Sequence, residues 1–306
     1  MGVAIIQYPG GKARLAGWIA DLLPPPGSYC TFIDVFGGAA NVLLEVMRRN
    51  DAAGTRNVLY VYNDVDEELV NFFRVLRERE LREELLGLLR WTPYSRRQFE
   101  ECLEMPVPDD PVRRAWRFFV INQQSYCGKA WKDCHTGRWA YHLQDSGNIQ
   151  RWLNSQKRLE YFGEIFRQIQ VECLDFADLL RRYADRNVLV YCDPPYYPEA
   201  RVDRTIYRNE LPATRHAELA EILSAYPGMA AISGYCCPEY DTWYAGWERH
   251  DRDVVCSMSH VGGTRDTKGQ ARPRRVESLW LNPAAVRAKQ RTRPRQVSLT
   301  DLEVVV

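Results

Sequence analysis

A short apolar run that ends in two prolines constrains this chain more than any other stretch. Residues 188–192 read Val-Leu-Val-Tyr-Cys, and Asp193-Pro194-Pro195-Tyr196 follows at once. An uncharged run of this length is typical of a central strand that is covered on both faces. Each proline fixes its own φ and disfavours the helical conformation in the residue before it. The sequence therefore predicts a buried strand that holds Asp193 at its carboxyl end, in a rigid loop.

Several more strand patterns alternate with helical patterns along the chain. The strand patterns lie at residues 32–36, 58–62, 171–174, 229–233 and 276–281. Apolar residues at helical spacing follow the second of them, at Leu69, Phe72, Phe73 and Leu76. Strands that alternate with helices predict an α/β fold with a Rossmann-like, doubly wound and mostly parallel sheet.

A glycine turn and three acids follow strands of this predicted sheet. Gly37-Gly38 follows the strand at residues 32–36, and Asp64, Asp175 and Asp193 each follow a later strand. The carboxyl ends of parallel strands meet at one edge, so we expect these residues to share a crevice. Such a set suits an adenosyl ligand beside a planar group with an exocyclic amine, such as a nucleobase. An alternative for Asp64 alone is that it only caps the following helix.

Two glycine turns mark the first part of the chain. Tyr8-Pro9-Gly10-Gly11-Lys12 precedes apolar residues at helical spacing, which predicts a turn that opens a helix. Bare glycine backbone and the Lys12 ammonium suit a carboxylate or a phosphate, although a plain turn is the alternative. The second turn, at residues 36–40, lacks the G-x-G-x-x-G pattern, which argues against a nicotinamide or flavin cofactor.

Residues 77–160 differ in character from the segments around them. Charged helical sequence leads into residues 123–132, where glycine, aromatic and basic residues are interleaved. Aromatic side chains can stack on bases while Lys and Arg neutralise phosphates. We therefore predict an inserted recognition segment, within which Trp116 and Phe118 are expected to belong to the core. Its cysteines and histidines match no usual zinc spacing, so no metal site is predicted.

Composition excludes several classes of protein. With 306 residues, 45% of them hydrophobic, the chain can form a sizeable core. No window approaches the roughly 20 apolar residues of a membrane helix. The nine cysteines are scattered and no signal segment opens the chain, so reduced thiols in a cytoplasmic protein are expected.

Charge is balanced overall but uneven along the chain. The net charge is +1, while basic residues concentrate at 113–138 and at 265–295. Local basic surfaces can bind nucleic acid even where the total cancels, and solvated faces are the alternative. From Pro283 onward, bases alternate with small or polar residues, which predicts a flexible basic arm.

Taken in order, these motifs resemble the D12 class of DNA adenine-N6 methyltransferases, the Dam-like enzymes. The resemblance rests on residues 8–12, residues 32–38, Asn63-Asp64 and Asp193-Pro194-Pro195-Tyr196. It implies a class I methyltransferase domain that uses S-adenosylmethionine as its methyl donor and DNA, in double-stranded form, as its substrate. Nothing in the sequence indicates a membrane or an obligate protein partner.

The resemblance also implies a division of the chain. A methyltransferase domain would be made from residues 1–76 and 161–285, interrupted by a mainly helical target-recognition domain at residues 77–160 and followed by a basic tail at 286–306. Within the inserted part, Tyr126-Cys127-Gly128 lies where relatives often carry an asparagine before the glycine. This departure leaves the recognised DNA sequence open.

Roles for individual residues follow from the resemblance. The cofactor-binding residues it implies are Tyr8, Gly10, Gly11, Lys12, Asp34, Phe36, Gly37, Gly38, Asp64, Asp175, Phe176 and Asp193. The catalytic residues it implies are Asp193, Pro194, Pro195 and Tyr196. The DNA-binding residues predicted in the inserted segment are Tyr126, Lys129, Lys132 and Arg138.

A mechanism can be argued from the catalytic residues. Hydrogen bonds from an adenine amine to the Asp193 carboxylate and the Pro194 carbonyl would aim the nitrogen lone pair at the methyl group, with Tyr196 stacked on a flipped-out base. The same geometry would serve cytosine N4 or an RNA adenine. A non-catalytic nucleic-acid-binding protein on this fold is the alternative from another class, and the intact Lys12 and Asp64 argue against it.

Overall fold

A mixed sheet of seven strands forms the centre of the described part of the protein, in the order β3-β2-β1-β4-β5-β7-β6. The computed structural model describes residues 5–8, 11–125, 139–141, 146–198, 209–255 and 274–292. The strands are β1 (Thr31–Asp34), β2 (Leu59–Asn63), β3 (Ile169–Glu172), β4 (Val188–Cys192), β5 (Met229–Tyr235), β6 (Glu248–Val255) and β7 (Arg274–Leu281). Strands β1 to β5 run parallel, whereas β7 runs antiparallel to β5 and β6. The predicted α/β fold with a mostly parallel sheet is confirmed.

The strand predicted at residues 188–192 lies in the middle of this sheet. β4 pairs with β1 on one side and with β5 on the other, and all of its residues are buried. Leu189 and Val190 point into separate hydrophobic clusters on the two faces of the sheet. Because both faces are covered, a strand without charged side chains is stable here. The loop that follows β4 therefore starts at the middle of the carboxyl edge.

Helices cover both faces of the sheet. They are α1 (Ala16–Leu22), α2 (Asn41–Ala52), α3 (Glu67–Arg77), α4 (Arg79–Arg90), α5 (Arg96–Glu104), α6 (Pro111–Gln124), α7 (Gly147–Phe166), α8 (Phe176–Arg182), α9 (Ala213–Ser224), α10 (Pro238–Trp243) and α11 (Pro283–Thr292). Residues of α8, α9 and α10 pack on one face, and residues of α1, α2, α3 and α11 pack on the other. None of the described helices combines the length and the apolar composition that a membrane span requires.

The two outer strands differ most from expectation. β6 has no counterpart among the predicted strands, because most of its residues are charged and it contributes no apolar run. It lies at the end of the strand order and pairs with β7. Charged side chains on an edge strand hinder pairing with other chains. β3, at the opposite edge, spans Ile169–Glu172 rather than the predicted residues 171–174.

The described helices between α3 and β3 are α4, α5, α6 and α7, and three of them, α4, α6 and α7, pack on α3. Phe72 of α3 stacks on Phe119 of α6 with ring centroids 5.6 Å apart, and Phe73 stacks on Phe166 of α7 at 4.3 Å. Phe118 is buried, as predicted. Helix α7 continues through residue 160 to Phe166, so the predicted end of the inserted domain falls inside a helix.

The expectation of a flexible arm from Pro283 is wrong for its first ten residues, which form α11. Asn282, buried just before the helix, anchors it to the sheet: its Nδ2 donates to the Gly228 carbonyl at 2.9 Å. Its Oδ1 accepts from the backbone N–H of Ala230 at 3.0 Å and of Ala285 at 2.9 Å. A basic sequence therefore folds as a packed helix, because a single amide satisfies backbone groups of both elements.

We expect Asn282→Ala to lower the free energy of unfolding by roughly 2–4 kcal/mol, because it leaves buried backbone groups unpaired. Urea denaturation of the purified protein measures this. Arg287→Ala, on the exposed side of α11, is the matched control and should change stability by less than about 0.5 kcal/mol. Equal effects of the two substitutions would show that Asn282 does not anchor the helix.

Candidate active site

A cleft opens where the carboxyl ends of β1 and β4 meet the segment before α1. The predicted residues that line it are Tyr8, Gly11, Lys12, Asp34, Phe36, Gly37, Gly38 and Asp193. Tyr191 of β4, together with Ala39, Asn41 and Val42 at the start of α2, completes the described lining. The tertiary structure thus brings together residues from three separated parts of the sequence, at the edge where open α/β sheets bind ligands.

The turn after β1 needs its glycines for two different reasons. A Cβ on Gly37 would lie 2.2 Å from the ring of Tyr62, which is closer than any side chain tolerates. Gly38 has a φ of +47°, a left-handed conformation that favours glycine. The backbone N–H of Gly38 donates to Asp64 Oδ2 at 3.0 Å. The turn therefore presents bare backbone to the cleft and is held in place by Asp64.

Asp64 is a brace for this turn rather than a helix cap. Its Oδ1 accepts from the backbone N–H of Asp66 at 2.9 Å, and Asp66 itself caps α3 by accepting from Glu68. The alternative in which Asp64 only caps the helix is therefore wrong. Burial raises the pKa of Asp64 to about 6, although the backbone N–H groups of Asp66 and Gly38 favour its charged form.

Asp34, the last residue of β1, is a buried acid with one unsatisfied oxygen. Its side chain lines the cleft and is only 2% exposed, and its Oδ1 has no hydrogen-bond partner among the described residues. Burial, followed by the nearby charges of Asp193 and Asp64, raises its pKa well above the usual range. Such an oxygen is costly unless a donor or a cation reaches it.

Asp193 forms an ion pair with Lys12 across the cleft. The distance from Lys12 Nζ to Asp193 Oδ1 is 2.9 Å, and Lys12 is buried. Burial raises the pKa of Asp193 to about 6, while Lys12 opposes that shift. Lys12 also lies 3.2 Å from Oε1 of Glu277, a buried acid of β7 that the sequence reading did not single out. Its position as a lone acid in the mostly apolar strand pattern at residues 276–281 is the sequence feature that could have indicated it.

The two tyrosines after the prolines are both buried. The Tyr196 hydroxyl accepts a hydrogen bond from Lys12 and donates one to Glu277. The Tyr196 ring packs edge-on against Tyr235, with centroids 4.4 Å apart. Tyr197 packs edge-on against His216 and Trp243 on the other side of the sheet. Tyr197, which the sequence left without a role, is therefore a core residue.

Asp175 and Phe176 lie at the start of α8, near the glycine turn. Asp175 caps the helix, and its Oδ2 pairs with Arg215 of α9. The Arg215 guanidinium also lies over the Phe176 ring, 4.3 Å from its centroid. Phe176 in turn contacts Phe36, with centroids 5.8 Å apart. Arg215 is another neighbour of the site that sequence reading missed, because only the fold brings α9 next to α8.

Several predicted residues lie outside the described part of the chain. They are Gly10, Tyr126, Lys129, Lys132 and Arg138, together with Cys127, Cys134, His135 and His142 of the rejected zinc pattern. Beside them, Trp139 and Tyr141 are described and stack on each other, with centroids 6.1 Å apart. The Arg96 guanidinium lies over both rings, at 5.0 and 5.5 Å. Tyr141 is 59% exposed, so this cluster forms part of the surface.

The strand order, the reversed β7 and the cleft at the carboxyl edge together define a class I methyltransferase fold. Comparison with known families agrees with this assignment. The sequence matches the D12 class of N6 adenine-specific DNA methyltransferases over residues 8–107 and 143–258. Since the match covers more than half of the chain, the protein belongs to this family.

Curated relatives support the same conclusion. The chain is 27% identical over 281 residues to a DNA adenine methylase of Salmonella typhi, which covers 86% of this chain and 91% of the relative. It is 27% identical over 279 residues to the DNA adenine methylase of Escherichia coli (strain K12), with the same coverage. A type II methyltransferase of Methanocaldococcus jannaschii is 22% identical over 216 residues, which are 63% of this chain and 68% of the relative.

The buried carboxylate of Asp34 should lower the stability of the folded protein at high pH. Because its pKa is raised in the folded protein, folding loses stability as the pH rises through that value. Asp34→Asn removes the ionisation, so the variant should be more stable than wild type by roughly 1–3 kcal/mol at about pH 8 and by much less at about pH 5. Thermal denaturation at the two pH values measures this.

The control for this experiment is Asp178→Asn on α8. Asp178 is exposed and pairs with Arg181, so its substitution should leave the pH dependence of stability unchanged. An Asp34→Asn protein that is less stable than wild type at both pH values would contradict the cost that we assign to this carboxylate.

Proposed function

We propose that this methyltransferase transfers a methyl group from S-adenosylmethionine to adenine N6 within a specific sequence of double-stranded DNA. The observation that carries the proposal is the position of Asp193. It lies at the carboxyl end of the central strand, across one cleft from the glycine turn and next to buried acids. A base and a methyl donor that both reach this cleft would meet at the Asp193 carboxylate.

The cleft suits a cationic cofactor. Asp34 and Asp193 line it and Asp64 lies just behind the glycine turn, whereas Lys12 is the basic residue of the described lining. S-adenosylmethionine carries positive charge on its sulfur and on its amino group. The unsatisfied Oδ1 of Asp34 offers an acceptor for such an ammonium. The bare backbone at Gly37 and Gly38 leaves space for a ligand to approach closely.

Further contacts to the cofactor follow from the arrangement of the edge. Asp64, directly after β2, is the proposed acceptor for the ribose hydroxyls. Phe36 and Phe176 contact each other and provide apolar surface for an adenine ring. The Asp175 carboxylate is beside them and is the proposed acceptor for the adenine amine of the cofactor. Tyr8 and Gly11 line the cleft from the segment before α1.

The chemistry requires activation of a poor nucleophile. The bound cofactor supplies an electrophilic methyl group on a positively charged sulfur. The lone pair of the adenine amine is delocalised into the ring, and hydrogen bonds from N6 to the Asp193 carboxylate and the Pro194 carbonyl would favour a pyramidal nitrogen. Pro195 limits the backbone freedom of the residue before it, which holds that carbonyl in place. As the bond from N6 to the methyl carbon forms, the carbon–sulfur bond would break and its electron pair would stay on sulfur, which leaves a neutral thioether. Asp193 would accept the proton that N6 loses.

The target base has to leave the duplex, because N6 is otherwise paired and inaccessible. Tyr196 was predicted to stack on the flipped base. In the structure its ring is only 4% exposed, and its hydroxyl is engaged by Lys12 and Glu277. These contacts support a role for Tyr196 in positioning Asp193 and Lys12, and stacking on a base would require the ring to leave them.

A surface cluster within the inserted segment supports DNA binding. Arg96, Trp139 and Tyr141 form a layered cluster of one guanidinium and two aromatic rings. Aromatic faces beside a cation are suited to stack on bases and to neutralise phosphates. Two of its members, Trp139 and Tyr141, follow directly after Arg138, the last of the predicted DNA-binding residues, in sequence. We therefore include it in the proposed DNA-binding surface.

Transfer of labelled methyl groups to unmethylated DNA, followed by nucleoside analysis, tests the proposed activity. We expect N6-methyladenine, confined to one short sequence context. DNA that already carries N6-methyladenine at those sites is the control and should accept no label. Recovery of N4-methylcytosine alone, or transfer to RNA and not to DNA, would rule out the proposal.

Asp193→Ala should reduce the rate of methyl transfer by about 10²–10³-fold, the effect of losing a preorganised charge at the reacting centre. Binding of S-adenosylmethionine should weaken far less, because Asp34 and the glycine turn remain. Single-turnover kinetics and calorimetry separate the two effects. Asp178→Asn is again the control and should retain wild-type rates. Near-normal turnover by Asp193→Ala would show that Asp193 does not activate the amine.

Binding of S-adenosylmethionine should tighten as the pH rises. The pKa of Asp64 is about 6, and burial raises the pKa of Asp34 as well, so at low pH protons compete with a cationic ligand for these carboxylates. We expect up to roughly tenfold weaker binding per pH unit below about pH 6. Titration calorimetry in buffers of different ionisation enthalpy also reports the released protons. S-adenosylhomocysteine, which lacks the sulfonium charge, should depend less on pH; equal dependence would contradict this electrostatic account.

A further inference from the structure

The buried acid Glu277 lies beside the catalytic loop, although it belongs to the antiparallel end of the sheet. It is 3% exposed and sits in β7, opposite Tyr235 of β5 and Arg252 of β6 in the strand register. Its Oε1 is 3.2 Å from Lys12 Nζ and accepts a hydrogen bond from the Tyr196 hydroxyl. Neither the cofactor contacts nor the amine contacts proposed above use this residue.

Glu277 and Asp193 share the ammonium of Lys12. Lys12 Nζ lies 2.9 Å from Asp193 Oδ1 and 3.2 Å from Glu277 Oε1, and it donates to Tyr196. Two carboxylates and one ammonium leave this cluster with an excess negative charge. An ion pair with a single buried acid would instead neutralise Asp193 and hold it firmly, since attraction between buried charges is only weakly screened.

Other charged and titratable groups surround this pair. Asp34 of β1 and Cys192 of β4 lie close enough to Asp193 to interact with it. Tyr191 of β4 interacts with both Asp193 and Glu277. Arg252 is the cross-strand neighbour of Glu277, but its guanidinium lies over the Trp18 ring, 5.7 Å from the centroid. Lys12 is thus the cation that the described contacts place between the two acids.

We propose that Glu277 is a positioning residue for methyl transfer: by sharing the ammonium of Lys12 and holding Tyr196, it keeps the Asp193 carboxylate oriented and available to the adenine amine. The inference rests on the proposed role of Asp193. It assigns the antiparallel strand β7 a part in catalysis. The negative charge of Glu277 also opposes ionisation of Asp193. Removing that charge should therefore lower the pKa of Asp193, and pH measurements can detect this shift.

The test compares Glu277→Gln with Glu277→Asp. Glutamine keeps the size and an acceptor for Tyr196 but loses the charge, so Lys12 then pairs with Asp193 alone. We expect kcat for methyl transfer to fall roughly tenfold at about pH 8, with KM for DNA little changed. The acid limb of the kcat profile should move to lower pH by roughly one unit. Glu277→Asp keeps the charge and should retain the position of that limb, even if the shorter side chain lowers kcat.

Glu248→Gln is the matched control, because Glu248 lies on the neighbouring strand β6 and pairs with Lys289, away from the cleft. It should leave both kcat and the pH profile unchanged. Wild-type kcat and an unmoved acid limb in Glu277→Gln would overturn the inference. So would an equal shift of the limb in Glu277→Asp, because the effect would then come from shape and not from charge.

A second measurement does not depend on turnover. The titration of the Asp193 carboxyl carbon by NMR, in wild type and in Glu277→Gln, should show a lower apparent pKa in the variant. If wild type methylates DNA but the Asp193 titration is the same in both proteins, the inference fails while the proposed function stands. If wild type transfers no methyl group and the titration still shifts, the charge coupling is upheld and the proposed function fails.

Discussion

The hydrogen bond and ion pairs of the buried Lys12 ammonium are the interactions on which the carboxyl edge of the sheet depends. This ammonium joins the segment before α1 to the loop after β4 and to β7, through Asp193, Tyr196 and Glu277. Removing one partner of a buried ion pair leaves an uncompensated charge, which is strongly destabilising. These three parts of the chain therefore hold one another in place. The residues that would contact the base are positioned by contacts that involve neither base nor cofactor.

The cleft concentrates buried acids, which suits the positive ligand that we propose and lowers the stability of the fold. Asp34 keeps an unsatisfied oxygen, and burial raises the pKa values of the acids at this edge. The turn after β1 includes a left-handed glycine, and the left-handed Ala40 follows it. Such unfavourable features persist where function requires them and the surrounding structure enforces them. A cation in the cleft would reduce the electrostatic cost of burying these acids.

The sequence predicted the parts of the site that short motifs mark. The two prolines after β4, the glycines after β1 and the acids after strands are all readable within a few residues. Arg215 has no such signal. Glu277 has one, a lone acid in an apolar strand pattern, but that pattern does not show which site the acid joins, because β7 neighbours the site only in the folded sheet. α11 was misread for a similar reason: its basic sequence resembles a solvated arm, and the contact that fixes it is the tertiary one made by Asn282.

The sequence by itself determined the alternation of strands and helices, the central position of residues 188–192 and the family of the protein. Those features depend on periodicity, on backbone restrictions of proline and glycine, and on ordered motifs. Only the tertiary structure decided that Lys12 pairs with Asp193 and Glu277, that Asp64 braces a turn instead of capping a helix, and that Tyr196 is buried. The physical reason is that these are contacts between residues distant in sequence, such as the Lys12–Tyr196 hydrogen bond across 184 positions, and strand order and packing alone bring such residues together.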